Sequence, residues 1–172
     1  MLFSNLLFSV LGCLSSAVAA TDTPNPPGLS YLYTLNCTLG APIVVGASPT
    51  GTRVAIPIIG GTFSGPRLSG KVLNLGADWG LTTTNPHSSN SSTFHADTRY
   101  NLQTNDRVPA NIFVQTSGPA QGDGKLHLRM VFETGDERYY WLNGIVAVGV
   151  LTPGTGWVGI EGWYLRSGGN GK

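Results

Sequence analysis

From Leu29 onward the chain is a succession of short runs in which apolar and polar residues alternate, each ended by glycine or proline. Successive side chains of a strand point to opposite faces, so a period of two is the mark of a strand with one buried face. Outside the N-terminus no long window carries apolar residues at i, i+3, i+4 and i+7, the spacing that gives a helix an apolar stripe. Residues 29–39 place large apolar side chains, Tyr31 and Tyr33 among them, at the odd positions. In residues 94–104, His95, Asp97, Arg99, Asn101 and Gln103 share one face while Ala96, Thr98, Tyr100 and Leu102 share the other. Residues 125–132 set His127 and Arg129 against Leu126, Leu128, Met130 and Phe132. The 24 glycines and 11 prolines supply the tight turns between such strands. About eight or more antiparallel strands at this spacing make either a sandwich or a closed barrel. Periodicity leaves both open: the polar faces either line a barrel cavity, with the apolar faces turned outward, or meet water on a sandwich.

The segment 85–93 is the most polar stretch and is expected as an exposed loop tip, whereas residues 141–151 and 157–166 are expected as the closing strands. At 172 residues the chain is long enough for one domain with a sizeable core, and no linker divides it. The net charge of +1, with scattered Lys and Arg, provides no basic stripe for nucleic acid. Only 11% of residues are charged, against about 25% in an average soluble domain. Most of those charges sit beside aromatics in two clusters: Gly76-Ala77-Asp78-Trp79 with Asp97-Thr98-Arg99-Tyr100, and the segment from Phe132 to Asn143. So concentrated a distribution points to a site rather than to a solubilising surface.

Residues 1–20 contain no Lys, Arg, Asp or Glu, hold an apolar run from Leu6 to Leu14, and end in small residues, with Ala17-Val18-Ala19 fitting a cleavage site. The segment reads as a signal peptide followed by a barrel domain over 21–172, and it is shorter than the about 20 apolar residues that span a bilayer. The sequons Asn36-Cys37-Thr38 and Asn90-Ser91-Ser92 agree with a secreted or secretory-lumen location without stable membrane insertion. Removing Cys13 with the leader leaves Cys37 alone, so no disulfide is expected, and its mid-strand setting suits a buried structural thiol.

The clusters and the segments around them resemble the family of domain of unknown function 3237, also called UPF0311. The matching residues are 60–70 (Gly60-Gly61-Thr62-Phe63 onward), Gly76-Ala77-Asp78-Trp79, the run 99–104 from Arg99 to Thr104, and Phe132-Glu133-Thr134-Gly135-Asp136 with Tyr139-Tyr140-Trp141-Leu142-Asn143. Together they cover nearly all of the mature chain in order. One departure is Thr104-Asn105-Asp106-Arg107, where the family usually has a Thr-x-Asp-Gly turn. The resemblance implies a single-domain antiparallel β-barrel of about eight strands with a central ligand cavity. Bacterial members mostly lack an assigned activity. Fungal members, which this sequence looks most like, tend to accompany natural-product pathways, and some look like cofactor-free cyclases that add a hydroxyl across an alkene of an aromatic polyketide.

The chain has no strand–GxGxxG–helix unit, no Walker sequence, no GxSxG elbow and no histidine pair at i, i+4, so neither a cofactor nor a metal is expected. What remains is acid–base and electrostatic chemistry in a shaped pocket, on a small aromatic metabolite. Asp78 is the first candidate for proton transfer, with Trp79 as an apolar wall that raises its pKa; otherwise it is a turn aspartate bonded to local backbone. Arg99 and Arg129 are candidates to orient a phenolate, or to pair with Asp97 or Glu133. His127 shares a face with Arg129 and is a candidate acid or base. Trp141, Tyr100, Tyr31 and Tyr33 are candidates to stack on an aromatic ligand, and Glu133 and Asn143 to contact it, with Asn143 expected buried and otherwise fixing its loop. Two other classes remain: a non-catalytic carrier or stereochemical guide with the same pocket, and a carbohydrate-binding module with an exposed aromatic row. A long apolar outer face would also permit a homodimer.

Overall fold

A computed structural model describes residues 25–167, apart from the side chains of 89 and 90. Ten strands follow one another: β1 (Gly28–Leu39), β2 (Ile43–Ser48), β3 (Gly51–Ser64), β4 (Ser69–Asp78), β5 (Leu81–Asn85), β6 (Ser88–Thr104), β7 (Asn111–Pro119), β8 (Leu126–Glu133), β9 (Ala147–Gly154) and β10 (Trp157–Arg166). Among the described residues helix is confined to one 3-10 turn, Tyr140–Gly144. The strands pair antiparallel in the order β1-β10-β9-β8-β7-β6-β4-β3, and β1 pairs with β3 to close the ring. This is a closed barrel of eight strands, with β2 added on β3 and β5 bridging β3 and β6. The sandwich alternative is thereby removed. No helix among the described residues is long and apolar enough to cross a membrane. The leader expected over residues 1–20 lies outside the described residues.

The barrel turns its apolar faces inward. On β8, Leu126, Leu128, Met130 and Phe132 are buried while His127, Arg129, Val131 and Glu133 are exposed. On β6 the buried set is Ala96, Thr98, Tyr100, Leu102 and Thr104. The idea of a polar interior under an apolar coat is therefore corrected: the polar faces meet water, because charges inside so narrow a barrel would have no compensating partners. Each large side chain buried in this way contributes about 1.5–3 kcal/mol.

Alternation fails where the strands bulge. On β1 the register shifts between Tyr31, opposite Trp163, and Tyr33, opposite Gly162. Leu32 is the extra residue, so Tyr31 turns out to solvent while both Leu32 and Tyr33 are buried. The register also shifts between Pro57 and Gly61 on β3 and between Val72 and Gly76 on β4. Gly61 and Gly76 have φ of 147° and 128°, and a Cβ on either would collide with a neighbouring strand's carbonyl oxygen, that of Asn36 or of Arg99. Only glycine takes this backbone at such close approach.

Two segments differ from their expected form. The polar segment 85–93 is mostly hairpin, in which β5 pairs with the start of β6 and Pro86 and His87 make the turn. Residues 141–146 are not strand, and β9 begins at Ala147.

Candidate functional site

One end of the barrel is packed solid and the other is hollow. At the packed end Tyr33 sits edge-on to Phe132, with ring centroids 6.1 Å apart, and tilted against Phe63 at 5.9 Å. Leu142, from the 3-10 turn, is 1% exposed there, in one core with Leu68, Leu102 and Ile112. At the opposite end a cavity of about 340 Å³ opens between the strands, near the lower limit of about 300 Å³ for small-molecule sites. Its wall is mostly aliphatic, with Leu35, Ile58, Leu126, Leu151 and Ile160 together with the ring of Phe94. The polar groups in the wall are Asp78, Thr98, Thr116, Tyr100 and Cys37.

Asp78 is the one carboxylate among the described residues that line this cavity. It ends β4, flanked in register by Ile56 of β3 and Thr98 of β6. Its Oδ1 accepts the amide N–H of Asp97 at 2.9 Å, and the next amide, of Trp79, donates to the Asp97 carbonyl at 2.9 Å. Burial pushes the carboxyl above its ordinary pKa of 3.8; the Asp97 amide and the Thr98 hydroxyl draw it partly back, and the Asp97 charge adds to the rise. A carboxyl so placed can hold a proton nearer neutrality than an exposed one and exchange it with a bound molecule. Asp78 is thus a strand residue rather than a turn aspartate: one oxygen takes a backbone bond from the neighbouring strand, and the side chain still lines the cavity.

Cys37 is a free thiol in the same wall, and burial raises its pKa to about 11, so it stays protonated. Tyr100 reaches the cavity from β6, and behind it lies Tyr33; both rings are buried and neither hydroxyl has a hydrogen-bond partner among the described residues.

Residues 27–161 match the family described as Protein of unknown function (DUF3237). This chain belongs to that family. The family match covers the whole barrel but for the last residues of β10. A hydroalkoxylation enzyme of Penicillium herquei is 30% identical over 134 residues, which cover 78% of this chain and 80% of that protein. Among solved structures, a β-barrel-like protein from Acinetobacter baumannii is 32% identical with a TM-score of 0.73, covering 84% of this chain and 99% of that one. An enzyme from Penicillium herquei is 28% identical with a TM-score of 0.64, covering 86% of this chain and 100% of that one.

Of the candidate residues, the DUF3237 barrel brings Asp78 and Tyr100 to one cavity, with Tyr33 beneath. The others lie elsewhere. Trp79 is 46% exposed and outside the lining, its carbonyl accepting from Arg53 Nη1 at 2.7 Å. The wall that buries Asp78 is therefore the cavity itself, not the Trp79 ring. Arg99 projects outward and pairs with Asp97 at 3.1 Å. His127 and Arg129 stand exposed on the outer face of β8, beside Val148 and Val150. Tyr31 is outside as well, its hydroxyl 2.6 Å from Thr34 Oγ1.

The second charged cluster gathers at the packed end. Asp106 Oδ2 accepts from the Thr104 hydroxyl at 2.7 Å and from the Tyr139 hydroxyl at 2.8 Å, and lies 3.1 Å from Arg138 Nη1. Arg138 also binds Asp136 at 2.7 Å and donates to the Val108 carbonyl at 2.8 Å. Among the described residues no non-glycine has positive φ, so Arg107 replaces the family's usual glycine in this turn without strain. Trp141 is half-buried under the Arg67 guanidinium, 3.7 Å from its ring centroid. Asn143, expected to be buried, is exposed, and it clamps the Thr134 backbone by accepting from its N–H and donating to its carbonyl, each at 2.9 Å. Glu133 is exposed beside it in a shallow groove.

Sequence reasoning missed Phe94, Thr98 and Thr116 as cavity residues. The inward parity of β6 was a usable signal for the first two, since both fall on the face that carries Tyr100.

Proposed function

We propose that this chain closes a ring in a small aromatic metabolite by intramolecular hydroalkoxylation, with Asp78 moving the proton inside the barrel cavity. The observation that carries this reading is a single carboxylate, its pKa raised by burial, in a mostly aliphatic wall. Similarity to a hydroalkoxylation enzyme across 78% of the chain supports it. In the proposed step the Asp78 carboxyl gives its proton to one alkene carbon. The substrate hydroxyl oxygen then bonds to the other carbon, and the hydroxyl proton passes to the Asp78 carboxylate. One C–H and one C–O bond form as the π bond and the O–H bond are lost, so the reaction is an isomerisation that consumes no co-reactant. Holding hydroxyl and alkene in contact within a small cavity lowers the barrier alongside the proton transfer. Water kept out by the aliphatic wall cannot capture the developing cation.

The aliphatic wall favours an apolar, ring-bearing ligand over a sugar, whose hydroxyls would go unpaired there. The test is to incubate the protein with hydroxyaryl compounds carrying a prenyl chain in deuterated water and to separate the products by chiral chromatography. A cyclised, stereochemically pure, deuterium-labelled product that disappears with Asp78→Asn is expected. Tight binding with no conversion by the intact protein would instead make it a carrier.

The proposal includes a secreted, glycosylated form. Asn36 is exposed on the outer face of β1, and Asn90 falls within β6. A mass shift on endoglycosidase treatment of protein from a secreting eukaryotic host is the expected sign, and no shift would remove the glycan from the proposal.

A further inference from the structure

The wall of the cavity holds Tyr100, with Tyr33 behind it, two phenols that the proton-transfer step does not use. Tyr33 is 0% and Tyr100 2% exposed, and neither hydroxyl has a hydrogen-bond partner among the described residues. Buried polar groups are nearly always paired, and Tyr100 is part of the cavity wall, so its orphaned hydroxyl is a place for a partner brought from outside. The two phenols are neighbours, each bearing on the other's ionisation, and Tyr100 also lies against Cys37 in the cavity wall. Turning toward each other does not satisfy them. A pair of hydroxyls shares one proton between its oxygens and leaves the second O–H without an acceptor, and a thiol accepts poorly.

We propose that Tyr100, backed by Tyr33, is a hydrogen-bond receptor for the carbonyl or oxyanion oxygen of an aromatic ligand. It would fix that oxygen at the cavity wall and direct the alkene chain toward Asp78. The last part rests on the ring-closure reading above; the receptor itself does not. Strand register sets the spacing. Asp78 is opposite Thr98, and Tyr100 lies two residues further along β6 toward the packed end, a step of about 7 Å along the strand. A ligand of one or two rings spans that interval. The substrate class is thereby narrowed to aryl ketones and phenolates whose oxygen lies across the ring from the reacting chain. Burial keeps both phenols protonated, and so available as donors, across the working pH range.

The test uses the intact protein and two probes of nearly equal shape, 1-acetylnaphthalene and 1-isopropenylnaphthalene, which differ in carrying C=O or C=CH2. Binding is followed by tryptophan fluorescence and calorimetry. The ketone is expected to bind about fivefold to tenfold more tightly, the effect of one neutral hydrogen bond, with its carbonyl stretch moved to lower wavenumber. Tyr100→Phe should erase both the preference and the infrared shift while leaving the hydrocarbon's affinity within about twofold. Tyr33→Phe should reduce the preference by a smaller factor. Equal binding of the two probes by the unaltered protein, which needs no variant to fold, would overturn the receptor and leave ring closure standing. So would a preference that survives Tyr100→Phe while the melting temperature falls, since that marks a structural hydroxyl. Discrimination between the probes without turnover of any prenylated substrate would support the receptor and sink ring closure.

Discussion

The same eight strands run through both ends of this barrel, yet one end is filled and the other is not. At the filled end aromatic rings and Leu142 occupy the interior, and outside them Asp106, Asp136, Arg138 and Tyr139 bind one another and the loop backbone. At the hollow end the inward residues are mostly aliphatic or small, with the rings of Phe94 and Tyr100 in the wall around the cavity. Around the filled end the side chains of Asp106, Asp136, Arg138 and Tyr139 pair with one another, leaving the Tyr33 hydroxyl inside as the exception, whereas at the hollow end the Tyr100 hydroxyl is unpaired and the Asp78 carboxyl is disfavoured as a charge. Stability is concentrated where the groups satisfy one another, and chemistry is available where they do not.

That contrast can be broken most sharply at Asp78. Asp78→Asn keeps the side chain's shape and its bond from the Asp97 amide, and it is expected to slow ring closure by about a hundredfold or more, the usual contribution of a positioned acid–base group. Affinity for a non-reacting ligand should hold, as read by calorimetry. Leu142→Ala tests the other end: loss of a fully buried Leu in a packed core costs about 2–5 kcal/mol, measurable by urea unfolding. Ligand affinity in the surviving folded protein should be retained.

The two ends should also answer pH with opposite signs. Asp106 and Asp136 are held below the ordinary carboxylate value of 3.8, Asp106 chiefly by the Thr104 and Tyr139 hydroxyls and Asp136 by Arg138. Their contribution is present above the unfolded value and is lost as pH falls through the folded one. Asp78 is raised, so the folded state binds its proton more tightly than the unfolded state does, and stability falls as pH climbs from about 3.8 through the folded pKa. Asp78→Asn should flatten that decline, and Asp106→Asn should blunt the acid loss; unfolding curves taken on both sides of the ordinary carboxylate value of 3.8 decide it. Arg67→Ala removes the cation over Trp141 and should cost about 0.5–1 kcal/mol. Least of all, Arg129→Ala and His127→Ala, on the outer face, should change turnover by less than about twofold, as is usual for surface changes away from a site. A large loss there would mean that the outer face of β8 takes part in the reaction.

How much of this was legible beforehand differs by strand. β6 and β8 keep strict alternation, so their inward and outward sets could be read directly. What alternation does not reveal is which set faces in, and only the cost of burying Asp97, Arg99, His127 and Arg129 decides that. β1 misled at Tyr31, because one inserted residue at Leu32 reverses the face, and a bulge on a leucine leaves no glycine to announce it. The second charged cluster read as a site because paired charges and aromatics look alike in sequence whether they serve a ligand or a loop. Arg138, which holds both Asp106 and Asp136, makes the difference, and Asp106 is 32 positions away from it. That Asp78 lines the cavity could not be read from its neighbour Trp79, whose side chain is half exposed and outside the lining; strand pairing in three dimensions decides it.

The closure of the ring between β1 and β10 has a consequence for how the molecule comes to exist. Gly28 pairs with Arg166, so the earliest strand cannot complete its hydrogen bonds until the final one has been made. During synthesis the edge of β1 that β10 will cover is left open, and closure waits on a contact between distant parts of the chain. Topologies dominated by such pairings fold in about milliseconds to seconds rather than microseconds. The nascent chain therefore passes through a period with unpaired edges, when it is most open to association with other copies.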